Sequence, residues 1–488
     1  MSRRQPLPLD LHADKPHDEC GLFGVFGHQD SAAHTALGLH ALQHRGQEAT
    51  GMVTYDGQQF HAHRGLGQVG ENFGSHDVID RLRGQAALGH VRYSTTGETV
   101  LRNVQPLFAE LVFGGFTIAH NGNLTNGYTL RDQLVTRGCI FQSTMDTEVI
   151  LHLVATSAKK TVVDRMTDAL HQCQGAYALV AMTATALFGV RDARGVRPLV
   201  LGELDGAYIL ASETCALDII GARFVRDIEP GEMVVIDSSG VHSMRPFAPA
   251  RSRFCVFEYI YFARPDSSIN GVGVYDARKR IGTELAREAP VPADVVIPVP
   301  DSGVPAAIGY AAESHIPFEL GIIRNHYVGR TFIEPTEQIR HLGVRLKHSA
   351  NRSEVTGKRV ILVDDSIVRG TTSTKIVDMM RDAGATEVHM RIASPPTAYS
   401  CFYGVDTPQR DELLAANLDL EGMRNRIGVD SLAYISMDGL YRAMTGSPRD
   451  ERNPQYCDAC FSGDYPIPLA DHELGSPPAQ LSLLAEQV

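Results

Sequence analysis

Val360-Ile-Leu-Val-Asp-Asp-Ser-Ile-Val-Arg-Gly-Thr-Thr-Ser373 decides how the C-terminal half of this chain is read. Four apolar residues form a buried strand that ends in Asp364 and Asp365, and a Gly- and hydroxyl-rich loop then leads into a helix over Thr372–Arg381. Ile376, Met379, Met380 and Ala383 give that helix one apolar face, and Gly384 stops it. Ligands of parallel α/β sheets bind at the carboxyl ends of the strands. Backbone N–H groups, hydroxyls and a helix N-terminus at that place make an anion site. Two carboxylates beside such a loop would repel phosphate unless they hold sugar hydroxyls or a hard cation such as Mg²⁺, which takes oxygen ligands. A solvated turn fits poorly, because the carboxylates directly follow the apolar run. The stretch is neither a Walker loop nor a dinucleotide fingerprint.

Working outward, Val295–Val299 reads as a strand, Val304–Glu313 as a helix and Glu319–Ile323 as a strand. That alternation predicts βαβ units and a parallel sheet. Upstream of the Pro-rich, aperiodic segment Ser243–Ser252 the rhythm differs. Short strands are expected at Ala86–Tyr93, Phe113–Ala119, Tyr177–Met182, Tyr208–Ala211 and Met233–Ile236, with few helices (a segment through Ala32, Ala36 and Leu39, then Thr147–Thr156 and Val162–Cys173). This density predicts stacked antiparallel sheets. The domain reading is a polar leader over 1–19, one domain over 20–250, a second over 251–470 and a loose tail over 471–488.

The chain has 488 residues with 45 Lys and Arg against 57 Asp and Glu, a net charge of −12, and 43% hydrophobic residues. This is the balance of a globular protein of two or three domains. No Lys/Arg block supports duplex nucleic-acid binding. No apolar run reaches the ~18 residues of a membrane helix; the nearest, Ala176–Val190, is interrupted by Thr183, Thr185 and Gly189. Arg3-Arg4 lacks the apolar segment of an export signal. The expectation is a cytoplasmic protein without a membrane or nucleic-acid partner, whose eight cysteines are thiols, metal ligands or nucleophiles.

Cys20 lies between the polar leader and the first apolar run, Gly21–Gly27. Removing the leader would give this residue both a thiol, pKa about 8.5, and an α-amine, pKa about 7.7–8.0, that can take the thiol proton near neutrality. An amide nitrogen inside an uncut chain cannot do so. Cys20-Gly-Leu-Phe-Gly-Val25, Leu42-Gln-His-Arg-Gly-Gln-Glu-Ala-Thr-Gly51, Gly89-His-Val-Arg-Tyr-Ser-Thr-Thr-Gly97 and His120-Asn-Gly-Asn-Leu124 resemble the glutaminase domain of class II glutamine amidotransferases. The resemblance implies an N-terminal-nucleophile fold, an αββα sandwich, in which Cys20 attacks the glutamine carboxamide. It also implies that Asn121 and the N–H of Gly122 form the oxyanion hole, Arg92 clamps the substrate carboxylate and Asp146 holds its ammonium.

The Val360–Ser373 stretch resembles the phosphoribosyl-pyrophosphate (PRPP) signature of type I phosphoribosyltransferases. By that likeness Asp364 and Asp365 bind ribose hydroxyls and Mg²⁺, while Arg369, Gly370, Thr371, Thr372 and Ser373 cradle the 5-phosphate. Val299-Pro-Asp-Ser-Gly-Val304 matches the pyrophosphate loop, with Ser302 and Gly303 on PRPP and Ser302 a further Mg²⁺ ligand. Arg324–Phe332 resembles the flap that covers the substrate.

Cys457-Asp-Ala-Cys460, joined by Cys255 and Cys401, offers four thiolates, a number that suits zinc or an iron–sulfur cluster, and spacing does not choose. Taken together the likenesses point to glutamine-dependent phosphoribosyl amidotransferases, one branch of which pairs a cleaved propeptide with a [4Fe–4S] cluster at corresponding cysteines. That likeness implies glutamine and PRPP as substrates, purine nucleotides as feedback inhibitors and a homotetramer. Cys139, Cys173 and Cys215 are expected to pack, and His61 and His63 to be solvated. A hexosamine-forming transferase, a plain glutaminase and a nucleotide-sensing regulator are the alternatives.

Overall fold

The computed structural model describes residues 20–93, 100–324 and 348–473. The leader, positions 94–97 of the third glutaminase motif, the flap beyond Arg324 and the tail from 474 lie outside the described residues.

Two antiparallel sheets draw every strand from the first half. The seven-stranded sheet runs Arg223–Asp227, Val200–Leu204, Ala207–Ala211, Gly21–Phe26, Ala86–Arg92, Ala49–Tyr55, Phe60–Leu66. The six-stranded sheet runs Gly240–Met244, Met233–Asp237, Ala186–Arg191, Gly175–Thr183, Gly114–Leu124, Leu107–Leu111. Leu22, Val53 and Leu88 of one sheet meet Ala119, Val180 and Leu187 of the other in a fully apolar layer. Helix Ser31–Ala41 covers the outer face of the first sheet through Ala32 and Leu39. Helices Asp146–Thr156 and Val162–Leu170 cover the second. The expected αββα order is therefore present. The second helix ends at Leu170 rather than Cys173, because Asn126 takes over the chain there: its Nδ2 donates to the Gln172 carbonyl and its Oδ1 accepts the Gln174 N–H.

The second half holds a four-stranded parallel sheet, Val295–Pro298, Arg359–Asp364, Glu387–Ile392, Ser431–Tyr434. Helices Val274–Glu288 and Val304–Ser314 pack on one face, and Thr371–Asp382 and Leu420–Ile427 on the other. The strand expected at Glu319–Ile323 is corrected. Phe318 only bridges Val296, Gly321 turns back on the Glu319 carbonyl, and Ile322–Arg324 instead pairs antiparallel with His348–Ala350. The loose tail is corrected at its start: buried Asp471, in the turn Ala470–Glu473, accepts the N–H groups of Tyr128 and Thr129 and the Thr129 hydroxyl at 2.6–3.1 Å.

A buried ring of charge joins the halves. Arg45 forks between Glu213 and Glu258, reaching the latter at 2.6 Å. Arg197 contacts Glu258 at 3.4 Å and gives two hydrogen bonds, 2.9 and 3.1 Å, to the Tyr403 carbonyl. Glu213 also accepts from His44, from the Ser267 hydroxyl and from the Arg264 N–H. The two arginines and two glutamates balance, and all are essentially inaccessible. Burial alone would raise the Glu213 pKa, but the charges of His44 and Arg45 outweigh it and hold the carboxyl well below its ordinary value. Such a group stabilises the fold above the unfolded-state value of about 4.3, and the contribution is lost as pH falls below it. Glu213→Gln is expected to lower stability by about 3–5 kcal/mol at pH 7. Denaturation at stepped pH should show the gap to wild type closing below about pH 4.3.

Candidate active site

Cys20 stands just before the strand Gly21–Phe26, and the pairing of Gly21 with Val91 and Leu22 with His90 sets it opposite Arg92. Its buried thiol points to the Tyr93 carbonyl at 3.8 Å. Arg92 is fully buried, with Nη2 3.4 Å from the Met145 sulfur. Burial pulls its pKa down, and the nearby charges of Cys20, Glu48 and Asp146 pull it up. Its neighbour on the strand, His90, is kept neutral: burial first, then the Arg92 charge, push its pKa to about 3.

Asp146 opens the helix Asp146–Thr156, at the positive end of the helix dipole. Burial works to raise its pKa, but His120 and the N–H groups of Leu124 and Thr147 outweigh it and keep the carboxylate charged. One oxygen accepts the Leu124 N–H at 2.9 Å, and the other lies 3.6 Å from His120 Nδ1. The loop leading in is pinned by Glu148, which accepts from the Gln142 and Ser143 N–H groups and the Ser143 hydroxyl at 2.7–2.8 Å.

Asn121 and Gly122 lie on the strand Gly114–Leu124, which Leu124 and His120 tie to Asp146. Asn121 is fully buried, and neither atom of its amide has a partner among the described residues. A buried amide left so costs about 1–3 kcal/mol, which is tolerated where a ligand supplies the partner. Gly122 adopts φ +136°, and a Cβ there would stand 2.0 Å from the Ala176 carbonyl oxygen.

The second centre sits at the carboxyl edge of the parallel sheet. Asp364 and Asp365 are buried at the end of Arg359–Asp364; the Asp365 N–H donates to Asp364 at 2.9 Å and the Ser366 hydroxyl to Asp365 at 2.6 Å. Ser302 and Asp365 line one small cavity. Gly303 starts helix Val304–Ser314 and is squeezed against the neighbouring strand: a Cβ would come 2.4 Å from the Val363 carbonyl oxygen. The Pro300–Asp301 peptide in this loop is cis. Gly370, with φ +81°, starts helix Thr371–Asp382, placing Thr371, Thr372 and Ser373 in its first turn. Arg369 is half-exposed and paired with Glu412 at 2.7 Å.

The four selected cysteines converge. Cys255 and Cys457 are directly paired in a parallel two-stranded ribbon, and Cys460 follows in the next turn. Burial, then the proximity of Cys255, Cys401 and Cys457, pushes the Cys460 thiol far up, and burial pushes Cys457 up to about 12. Cys173 and Cys215 are raised by burial and hydrogen-bond to nearby groups, as packing residues do. His61 pairs with Asp56, and His63 packs on the Phe73 ring.

The glutamine amidotransferase domain family matches residues 90–218, and the phosphoribosyl transferase domain family matches residues 274–393. An amidophosphoribosyltransferase of Rhizobium etli is 57% identical over 99% of both chains. The Bacillus subtilis amidophosphoribosyltransferase is 49% identical over 93% of this chain and 95% of its own. The chain belongs to the amidophosphoribosyltransferases. The solved B. subtilis glutamine PRPP amidotransferase, complexed with ADP and GMP, superposes with TM-score 0.88 at 48% identity, covering 92% of this chain and 98% of that one. A structure described as the allosteric regulatory enzyme of purine biosynthesis superposes with TM-score 0.89 at 48% identity, covering 92% of this chain and 97% of that one. As a family member the protein is an enzyme of purine biosynthesis that transfers nitrogen from glutamine to PRPP. The second domain disposes of the hexosamine and plain-glutaminase alternatives.

Neither His90, inside the third glutaminase motif, nor Glu148, inside the expected helix Thr147–Thr156, is singled out by the sequence alone. Glu258 and Gly404 carry no local pattern and become visible only across the seam. Gly303→Ala should force the loop Val299–Gly303 off the Val363 carbonyl. Calorimetric titration is expected to show PRPP affinity reduced at least ~30-fold, about 2 kcal/mol, within the 1–3 kcal/mol usual for overpacking, with glutamine hydrolysis in the absence of PRPP retained.

Proposed function

We propose that Cys20, exposed as an N-terminal residue by removal of positions 1–19, is the nucleophile of the glutaminase half. Its α-amine takes the thiol proton and the sulfur attacks the glutamine side-chain carbonyl carbon. Negative charge then develops on the carbonyl oxygen, where the Asn121 amide and the Gly122 N–H receive it. The C–N bond breaks, the ammonium returns its proton to the leaving nitrogen, and ammonia departs. Water hydrolyses the thioester to glutamate and restores the thiol. Arg92 holds the substrate α-carboxylate, and charged Asp146 its ammonium. The observation that carries this reading is the unpartnered, fully buried amide of Asn121.

In the other half, Arg369, Gly370, Thr371, Thr372 and Ser373 receive the 5-phosphate on N–H groups and hydroxyls at a helix start. Gly303 and Ser302 face the pyrophosphate, and Asp364 and Asp365 the ribose hydroxyls. Ammonia attacks C1, the C1–O bond to pyrophosphate breaks, and the amine sheds a proton to give 5-phosphoribosylamine. The oxygen-only donor set of Ser302, Asp364 and Asp365 suits Mg²⁺, which would offset pyrophosphate charge when bound. The seam supports transfer of neutral ammonia: Ala176 and Val196 share one apolar core with Phe254, Val256, Tyr403 and Val405.

Cys255, Cys401, Cys457 and Cys460 fit a [4Fe–4S] cluster. The donor set is all sulfur, and no three of these sulfurs lie within 4.8 Å of one another among the described residues. A single zinc ion with Zn–S of about 2.3 Å would need tetrahedral sulfurs roughly 3.8 Å apart. A division at 250/251, a homotetramer, a cytoplasmic setting and inhibition by purine nucleotides complete the proposal, the last supported by the nucleotide complex of the B. subtilis relative. No helix among the described residues is long and apolar enough to cross a membrane.

Cys20→Ala is expected to lose glutamine-dependent product formation by more than ~10³-fold, the scale of losing a nucleophile, while amination with concentrated ammonia persists; loss of both in a product assay contradicts two separate centres. Intact mass should begin at Cys20. Protein purified without oxygen should carry about four irons and four acid-labile sulfides per chain, and stoichiometric zinc would replace the cluster.

A further inference from the structure

The strand that carries the oxyanion donors is not held by the glutaminase half alone. Gly404, from the second half, adopts φ +107° and presses its bare Cα on Gly122: a Cβ there would lie 2.8 Å from the Gly122 Cα and carbonyl carbon and 3.0 Å from its oxygen. Gly122 also lies against the Ala176 carbonyl, so its Cα, which carries the N–H nitrogen, is confined by two neighbours. Next along the strand, Asn123 Nδ2 donates to the Phe402 carbonyl at 3.0 Å.

The loop that does this is itself immobilised. The Tyr403 carbonyl accepts both hydrogen bonds from buried Arg197. The Tyr403 hydroxyl donates to the Ile467 carbonyl at 2.7 Å and accepts its N–H at 2.9 Å. The Cys401 N–H donates to the Thr407 hydroxyl at 2.7 Å, and the Tyr403 N–H points to the Cys401 sulfur at 3.4 Å. A glycine has no side chain with which to fix its own peptide plane, and an oxyanion donor acts only when it is already aimed at the developing charge.

We propose that Gly404 is a positioning residue for the oxyanion hole: the loop Cys401–Gly404 of the phosphoribosyltransferase half sets the orientation of the Gly122 peptide and thereby the rate of glutamine cleavage at Cys20. The inference deepens, and rests on, the reading of Gly122 as an oxyanion donor. A Cβ at position 404 would displace the Cα and carbonyl of Gly122, and with that Cα the N–H nitrogen bonded to it, while its three nearest atoms all belong to Gly122 and none to Arg92 or Asp146.

Gly404→Ala in the processed holoenzyme, beginning at Cys20, should lower glutaminase kcat by about 10²–10³-fold, the scale of losing one oxyanion donor. The KM for glutamine should stay within about two-fold, and ammonia-dependent amination of PRPP should be unchanged. The aldehyde analogue of glutamine, which adds the thiol to give a tetrahedral oxyanion, should weaken in parallel with kcat. Glutamate inhibition should not change. An unaltered kcat, or equal weakening of aldehyde and glutamate, overturns the proposal. Should Gly404→Ala fail to fold, Asn123→Ala removes the hydrogen bond to Phe402 and is expected to give the same pattern at about ten-fold; an unchanged kcat there overturns it equally. Asn121→Ala separates the two readings. If it leaves kcat intact, the oxyanion assignment falls; if it lowers kcat while Gly404→Ala does not, only the positioning role falls.

Discussion

Two arginines and two glutamates sealed in the seam are the constraint on which the rest of the structure depends. Arg45 comes from the turn after helix Ser31–Ala41, Glu258 from the first turn of the second half, and Arg197 reaches on to the Tyr403 carbonyl. Each charge is tolerated away from water only because a partner is fixed opposite it. Hydrophobic contact between the halves would permit sliding, whereas forked ion pairs and directional hydrogen bonds select one register. The two chemical centres are thereby built relative to each other rather than merely tethered.

The same logic of charge placement distinguishes the centres. Around Cys20 the polar groups are few and buried, with a neutral His90 beneath Arg92 and a charged Asp146 at a helix start. That arrangement suits recognition of an amino acid by one forked cation and one anion. At the edge of the parallel sheet, paired carboxylates stand beside a loop rich in N–H groups and hydroxyls. A polyanionic sugar needs both kinds of contact at once. Glycine is used there for its size: Gly303 lets one loop lie on the carbonyl preceding the two aspartates.

Much of this was legible because it is local. Periodicity located the helix after the aspartates to within a residue at either end, and the Pro-rich stretch after Ser243 lies between the last strand of the sandwich and the ribbon that begins at Phe254. Cys20, Arg92, Asn121 and Asp146 announce themselves through neighbouring motif residues; the structure brings Cys20, Arg92 and Asp146 into one buried neighbourhood and puts Asn121 on the strand tied to Asp146. What stayed hidden depends on distant partners. The strand misread at Glu319 has strand-like composition, but its fate is decided by an edge contact with Val296 and a turn at Gly321. Gly404 looks like any loop glycine until Gly122 is placed against it, and Asp471 belongs to an apparently shapeless tail until helix Gly127–Thr136 presents its free amides.

That last contact has a topological corollary. The polypeptide leaves the sandwich through the connector before Phe254, builds the entire sugar-phosphate half, and comes back to grip the sandwich at Tyr128 and Thr129. The second half is thus moored at both ends of its span. A protease cut within the connector would nick the covalent backbone yet leave two fragments clasped together, so gel electrophoresis under denaturing conditions would register the break long before size-exclusion chromatography did.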